Sequence, residues 1–221
     1  MSSVNTVKSK DMPICTCPLG AEISDITIPS CPEYLGQIQK VVFQRTYSTG
    51  STENKFVVAS TDPALLATWT TVLTASDGTK AVVSTYINNP TMEPGEPTTY
   101  GGGNATVGGK EIILSKNASV FSCELHNVPQ STIAEYKALE CETLSVYFIN
   151  EQGQVIGDDE GGTTNFKGIK LQSETMNVSD KTLGGRENPD MNMVRFSLPA
   201  NWSDNLNVVT PTDFNGLDLA N

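Results

Sequence analysis

LSVYFINEQGQVIGD, residues 144–158, is the stretch on which the fold turns. Residues 144–149 (LSVYFI) concentrate β-branched and aromatic side chains and make the strongest strand signal in the chain. Asn150, Glu151, Gln152 and Gly153 form a turn, and residues 154–157 return as a second strand, so 144–157 reads as a β-hairpin with a loop longer than two residues.

Working outward, the same pattern recurs. Strands are expected at 166–175 and 193–198 on the C-terminal side, and at 119–125, 111–114, 81–87, 56–59 and 38–47 on the other. Two helices interrupt them. Asp62 followed by Pro63 supplies an N-cap and a first-turn proline, and Leu65, Leu66, Trp69, Val72 and Leu73 repeat on one face, so a helix is expected over 63–75. It should stop at Ser76, Asp77 and Gly78, the glycine taking a left-handed terminal conformation. Pro129 followed by the capping-box pattern Thr132 to Glu135 opens a short helix reaching about Cys141.

Three segments lack this periodicity. Residues 1–33 mix Ser, Lys, Pro and Cys, and prolines after Cys17 and Cys31 discourage helix, so they read as an extended arm. Residues 88–109 (NNPTMEPGEPTTYGGGNATVGG) are dense in Pro and Gly and too long for an ordinary connection; they read as a loop insertion, either a surface excursion or an arm ordered against a neighbouring subunit. The runs Gly101 to Gly103 and Gly108 to Gly109 read as flexibility. Residues 201–221 carry Trp202, Val208, Val209, Phe214 and Leu217 among polar residues and read as a C-terminal arm able to dock. The organisation is therefore one mainly β (α+β) domain over 34–200, flanked by arms.

Composition agrees. Of 221 residues, 38% are hydrophobic and 18% charged, too apolar for a disordered chain. The net charge of −11 excludes a surface built to grip a phosphate backbone, and acidic residues concentrate between Glu140 and Asp190. No apolar leader follows Lys8 and Lys10 and no run reaches spanning length, so the expected place of synthesis is the cytoplasm, with no membrane partner. There the five cysteines (Cys15, Cys17, Cys31, Cys123 and Cys141) are expected to be reduced.

Catalytic patterns fail when tested singly. His126 is the sole histidine, and on a strand over 119–125 it faces away from Cys123, which separates imidazole from thiol. Cys15, Cys17 and Cys31 lack the spacing and second pair of a zinc site. Asp158, Asp159 and Glu160 lack the alternating ligands of a calcium loop, and the glycine runs lack the Lys-Ser or Lys-Thr of a phosphate cradle. No enzyme, cofactor or metal is expected.

The stretches TYGGGNATVGGKEIIL (residues 99–114), LSVYFINEQGQVIGD (144–158) and LGGRENPDMNMVRFSLPANWSDNLNVVTP (183–211) resemble virion structural proteins of tailed bacteriophages, most of all the major tail tube subunits. The resemblance implies an antiparallel β-sandwich or half-barrel with one or two flanking helices, in a subunit that closes into hexameric rings stacked through a long loop and terminal arms. It implies a virion location, partners that are copies of the chain and other tail or neck proteins, and a channel through which DNA passes without specific binding. On that reading Pro94, Tyr100, Gly101, Gly102, Trp202 and Phe214 are subunit-interface candidates, and Glu151, Asp158, Asp159 and Glu160 are lumen-facing candidates. A capsid decoration or head-to-tail connector protein, and a carbohydrate-binding β-sandwich, stand as alternatives.

Overall fold

The computed structural model of the chain describes Ile26 and Leu35–Asn221; apart from Ile26, the expected arm over 1–33, with Cys15, Cys17 and Cys31, lies outside the described residues. In chain order the strands are β1 (Ile38–Arg45), β2 (Phe56–Val57), β3 (Ala81–Val83), β4 (Asn88–Glu93), β5 (Thr98–Gly101), β6 (Glu111–Ser115), β7 (Ser119–His126), β8 (Leu144–Asn150), β9 (Val155–Asp158), β10 (Asn165–Phe166), β11 (Ile169–Lys170), β12 (Asn177–Val178), β13 (Met191–Leu198) and β14 (Leu206–Val209). The helices are α1 (Leu66–Leu73) and α2 (Gln130–Ala138).

These strands pair antiparallel into two principal sheets, one in the order β14-β9-β8-β1-β3 with β11 also on β8, the other β12-β13-β7-β4. β8 explains the arrangement. All its residues are buried, because successive side chains point to opposite faces and both faces are covered. Leu144, Val146 and Phe148 meet Val41, Phe43, Phe121 and Phe196 between the sheets. Tyr147 and Ile149 face the other way, onto Val42, Phe56, Trp69 and Leu73. The fold is thus an α+β antiparallel sandwich, with α1 packed on the outer face of the larger sheet.

The expected hairpin over 144–157 is present, and a buried asparagine builds its turn. Asn150 donates through Nδ2 to the Leu35 carbonyl and to Gln154 Oε1, both at 2.8 Å, and its Oδ1 accepts from the N–H groups of Gln152 and Gln154. Every polar atom of the side chain is used, which is what burial requires.

Several boundaries differ from expectation. Asp62 does not cap α1. Its Oδ1 accepts from the Ala64 N–H in a local turn, and the helix starts later, at Leu66, whose N–H donates to Asp213 Oδ1 at 2.8 Å. A carboxylate far along the chain therefore does what the local one was expected to do. The helix ends before Ser76, and Gly78 is required for a different reason: a Cβ there would run into the Ser48 backbone. Thr132 and Glu135 form no capping box, since α2 begins directly after Pro129 with no side-chain cap. The strand expected over 166–175 breaks into β10 and β11, which pair with β2 and β8 respectively.

The Pro/Gly segment 88–109 is not a structureless loop. Its start is β4, an edge strand on β7, where Pro90 sits at a register irregularity between Asn88 and Thr91 and costs no ladder bond. Its end is half of a β5–β6 hairpin.

Nor is 201–221 a separate arm. β14 pairs with β9 as the outermost strand of the larger sheet, and Leu219 is buried against that sheet's outer face. Lys40, itself buried, donates from Nζ to the Leu217 carbonyl at 2.7 Å and the Leu219 carbonyl at 3.1 Å, and lies 4.7 Å over the Tyr86 ring. Asn221 pairs its side-chain amide with both backbone polar groups of Val83, at 2.7 and 2.8 Å, as a neighbouring strand would, and so covers the outer edge of β3. Lys40→Met keeps the apolar stem but leaves two carbonyls without their donor. The expected result is a loss of about 1–3 kcal/mol in stability with faster amide exchange over 216–221, read by denaturant titration and hydrogen exchange.

Candidate functional site

The chain leaves its own body at Gly95, whose backbone lies directly against the carbonyls of Asn117 and Ala118 so that no side chain fits there. The segment between is a two-stranded ribbon. β5 pairs with β6, setting Tyr100 opposite Ile112 and Thr99 opposite Ile113, and among the described residues the two strands pair with no other strand. Adjacent side chains point to opposite faces, so apolar groups stand on both sides of the ribbon.

Neither side is covered among the described residues. Tyr100 is 55% exposed, Ile112 54%, Ile113 and Leu114 each 63%, and Val107 at the tip 99%. Scattered exposed apolar residues are ordinary, but a contiguous set on one projecting element marks a contact surface.

The tip is a closed turn. The Thr106 hydroxyl and the Gly102 N–H both donate to the Lys110 carbonyl, and the Gly109 N–H donates to the Thr106 carbonyl at 3.0 Å. Gly101 has φ 115°, and a Cβ there would collide with the Lys110 carbonyl. The glycines let this turn close.

The chain matches no family model, no curated protein and no solved structure.

Of the expected interface residues, Pro94, Tyr100, Gly101 and Gly102 come together on the ribbon and its base. Trp202 and Phe214 do not join them. Trp202 packs in part on the cluster between the sheets and Phe214 in part on the cluster under α1. Val107, Ile112, Ile113 and Leu114 were not among the expected candidates. Three successive apolar residues at 112–114 indicate a strand, but only the pairing shows that neither of its faces meets the body.

The expected lumen residues are also redistributed. Glu151 stands at the β8–β9 turn, at the opposite end of β9 from the acidic run. Asp158 Oδ1 accepts from the Glu160 N–H and Asp159 Oδ1 from the Gly161 N–H, so both carboxylates shape the following turn. Glu160 lies 2.9 Å from Lys167 and 3.6 Å from Lys55, while Glu53 takes a second contact from Lys167 at 3.0 Å. Hydrogen bonding from Lys167, and then from Asn165, holds the Glu160 carboxyl down at about 2. Glu160 and Glu53 form a four-charge cluster with Lys55 and Lys167 beside β2, β9 and β10, while Asp158 and Asp159 have no lysine partner among the described residues. Lys55 lies far from the run in sequence and reaches it only in the fold, whereas Lys167 is seven residues from Glu160.

Cys123 and His126 fall on opposite faces of β7, as strand alternation requires. Burial, with a smaller contribution from Glu124, pushes the Cys123 thiol up to about 12, and His126 Nε2 lies 2.8 Å from Glu124 Oε2. A hollow of about 640 Å³ lies between α1 and the segment after β2. Its inward polar groups are already engaged: Gln44 with Thr79 and Tyr147, Asn54 with Arg45 and Gly78. No helix among the described residues is long and apolar enough to cross a membrane.

Proposed function

We propose that this chain is a structural subunit that assembles with copies of itself, and that the assembly is a stack of rings of the kind made by bacteriophage tail tube proteins. The observation that carries the reading is the β5–β6 ribbon, with apolar side chains uncovered on both faces. A two-stranded hairpin is marginal by itself in water and gains stability from a covered face. Covering Ile112, Ile113 and Leu114 against a neighbour contributes about 1–2 kcal/mol for each.

Charge supports the same reading. The body is repulsive to other copies at a net −11, yet in residues 94–117 Glu96 and Glu111 are balanced by Lys110 and Lys116. The neutral ribbon is the part that approaches another subunit at least electrostatic cost. The acidity of the whole keeps DNA phosphates from adhering to such an assembly, as passage through a channel requires.

Negative-stain microscopy and light scattering of the purified chain test this. Rings that stack into tubes are expected. Single closed rings that never stack would reassign the chain as a connector, and a uniform monomer that binds glycans would overturn assembly altogether.

A further inference from the structure

Asn89 and Pro90 form a strained junction on the edge strand β4. Asn89 has φ 47°, in the left-handed region, and it precedes a proline, whose ring further restricts the backbone in front of it. The β4–β7 register passes from Asn88, opposite Glu124, to Thr91, opposite Ser122. Asn89 and Pro90 therefore stand outside the ladder, and the peptide bond between them is not tied into the sheet. Strain of this kind, kept by the surrounding structure, is characteristic of functional positions.

Two side chains of β7 meet at this junction. Asn89 Nδ2 donates to Glu124 Oε2 at 2.8 Å, and His126 Nε2 lies 2.8 Å from the same oxygen. An ionised carboxylate only accepts, so both nitrogens turn a hydrogen toward it, which fixes the orientation of the Asn89 amide. The Glu124 and His126 side chains are 22% and 27% exposed, sheltered enough for these hydrogen bonds to be stronger than in open water. We propose that these three residues cut their own chain at the bond between Asn89 and Pro90, the asparagine amide nitrogen attacking its own main-chain carbonyl with Glu124 as the base.

The proline selects this reaction. An asparagine ordinarily deamidates when the N–H of the next residue attacks its side-chain carbonyl, and Pro90 has no N–H, so that route is closed. The remaining internal attack joins Nδ2 to the carbonyl carbon of the same residue, and the two are already held on one backbone unit. As the Nδ2–C bond forms, Glu124 Oε2 takes the proton that leaves Nδ2. As the C–N bond to Pro90 breaks, that proton passes to the Pro90 nitrogen, which departs as a secondary amine. The products are a succinimide closing residues 1–89 and a free amino terminus at Pro90, with no water, oxidant or cofactor entering the step. His126 is a positioning residue, its N–H holding Oε2 against the asparagine. The break is a single event for each chain, and it leaves the sandwich standing, because β1 before it stays paired with β8 after it. It is independent of the self-assembly reading.

The test incubates the purified full chain for days, folded and in urea, and follows it by denaturing gel electrophoresis and intact-mass spectrometry. Fragments 1–89 and 90–221 are expected from the folded chain only, at a rate independent of protein concentration, with early masses that sum to the intact mass without an added water. A folded chain that stays whole would overturn the proposal, and so would the same fragments from Asn89→Ala. Glu124→Gln, which keeps an acceptor but is no base, is expected to slow the cut about a hundredfold at an unchanged thermal midpoint; an unchanged rate would overturn the role of Glu124. His126→Ala is expected to slow the cut and His126→Gln, which retains an N–H donor, to restore it. Equal rates in those two would overturn the positioning role.

Discussion

Removing residues 96–116 and joining Gly95 to Asn117 through a Gly-Gly linker is expected to leave a folded monomer that no longer associates. The geometry makes the excision mild. Gly95 already touches the Asn117 and Ala118 backbone, so the new loop closes over almost no distance. The β4–β7 ladder, which pairs Met92 with Phe121 and Glu93 with Val120, ends before the cut. Across it the body loses the Lys116 contact to Asn201 and the exchange between Thr98 and Asn117, all at exposed positions. Exposed polar contacts of this kind are worth within about 0.5 kcal/mol. Light scattering reports association, and a thermal melt confirms that the body still folds. A variant with the wild-type melt that still forms assemblies would remove the ribbon from the interface.

Trp69→Ala is expected to cost about 3–5 kcal/mol, the largest effect of any single truncation considered. Trp69 is fully buried and is the main anchor of α1 on the larger sheet. Its ring lies 5.0 Å from Phe56 and 5.2 Å, edge-on, from Tyr147, and its Nε1 donates to the Pro63 carbonyl at 2.8 Å. Truncation opens a cavity among aromatic neighbours and also leaves a buried carbonyl without its donor. Set against a typical domain stability of about 5–15 kcal/mol, the loss decides whether the chain stays folded. A denaturant midpoint moved down at unchanged slope is the expected reading. Leu66→Ala is the control. That residue is 41% exposed, and its loss should be small. Equal effects from the two would mean that α1 is not held by its tryptophan.

How much of this was legible beforehand differs by element. Residues 144–149 declare a strand through composition alone, and residues 119–125 separate Cys123 from His126 by strict alternation; the structure has both. Local chemistry sufficed there, because side-chain direction in a strand follows from sequence position. The caps of α1 and α2 failed for the converse reason. Asp62 had the right local pattern, but the Leu66 N–H is served by Asp213, and such a partner is invisible to any window of neighbours. The same holds for the contact of Glu160 with Lys55, which lies far away in sequence.

The sequence by itself determined the strands β1, β7, β8, β9 and β13, the presence of two helices, the acid balance and the separation of Cys123 from His126 across β7, since each depends on residue type and short-range period. Only the tertiary structure decided which apolar residues are spent inside the chain and which are left over. Trp202 and Phe214 look as available as Val107 and Ile113 when read along the chain. The first two meet the sheets that fold beneath them, and the other two stand on a ribbon that reaches past the body. Burial is a property of what lies opposite a side chain, and pairing across long separations sets what that is.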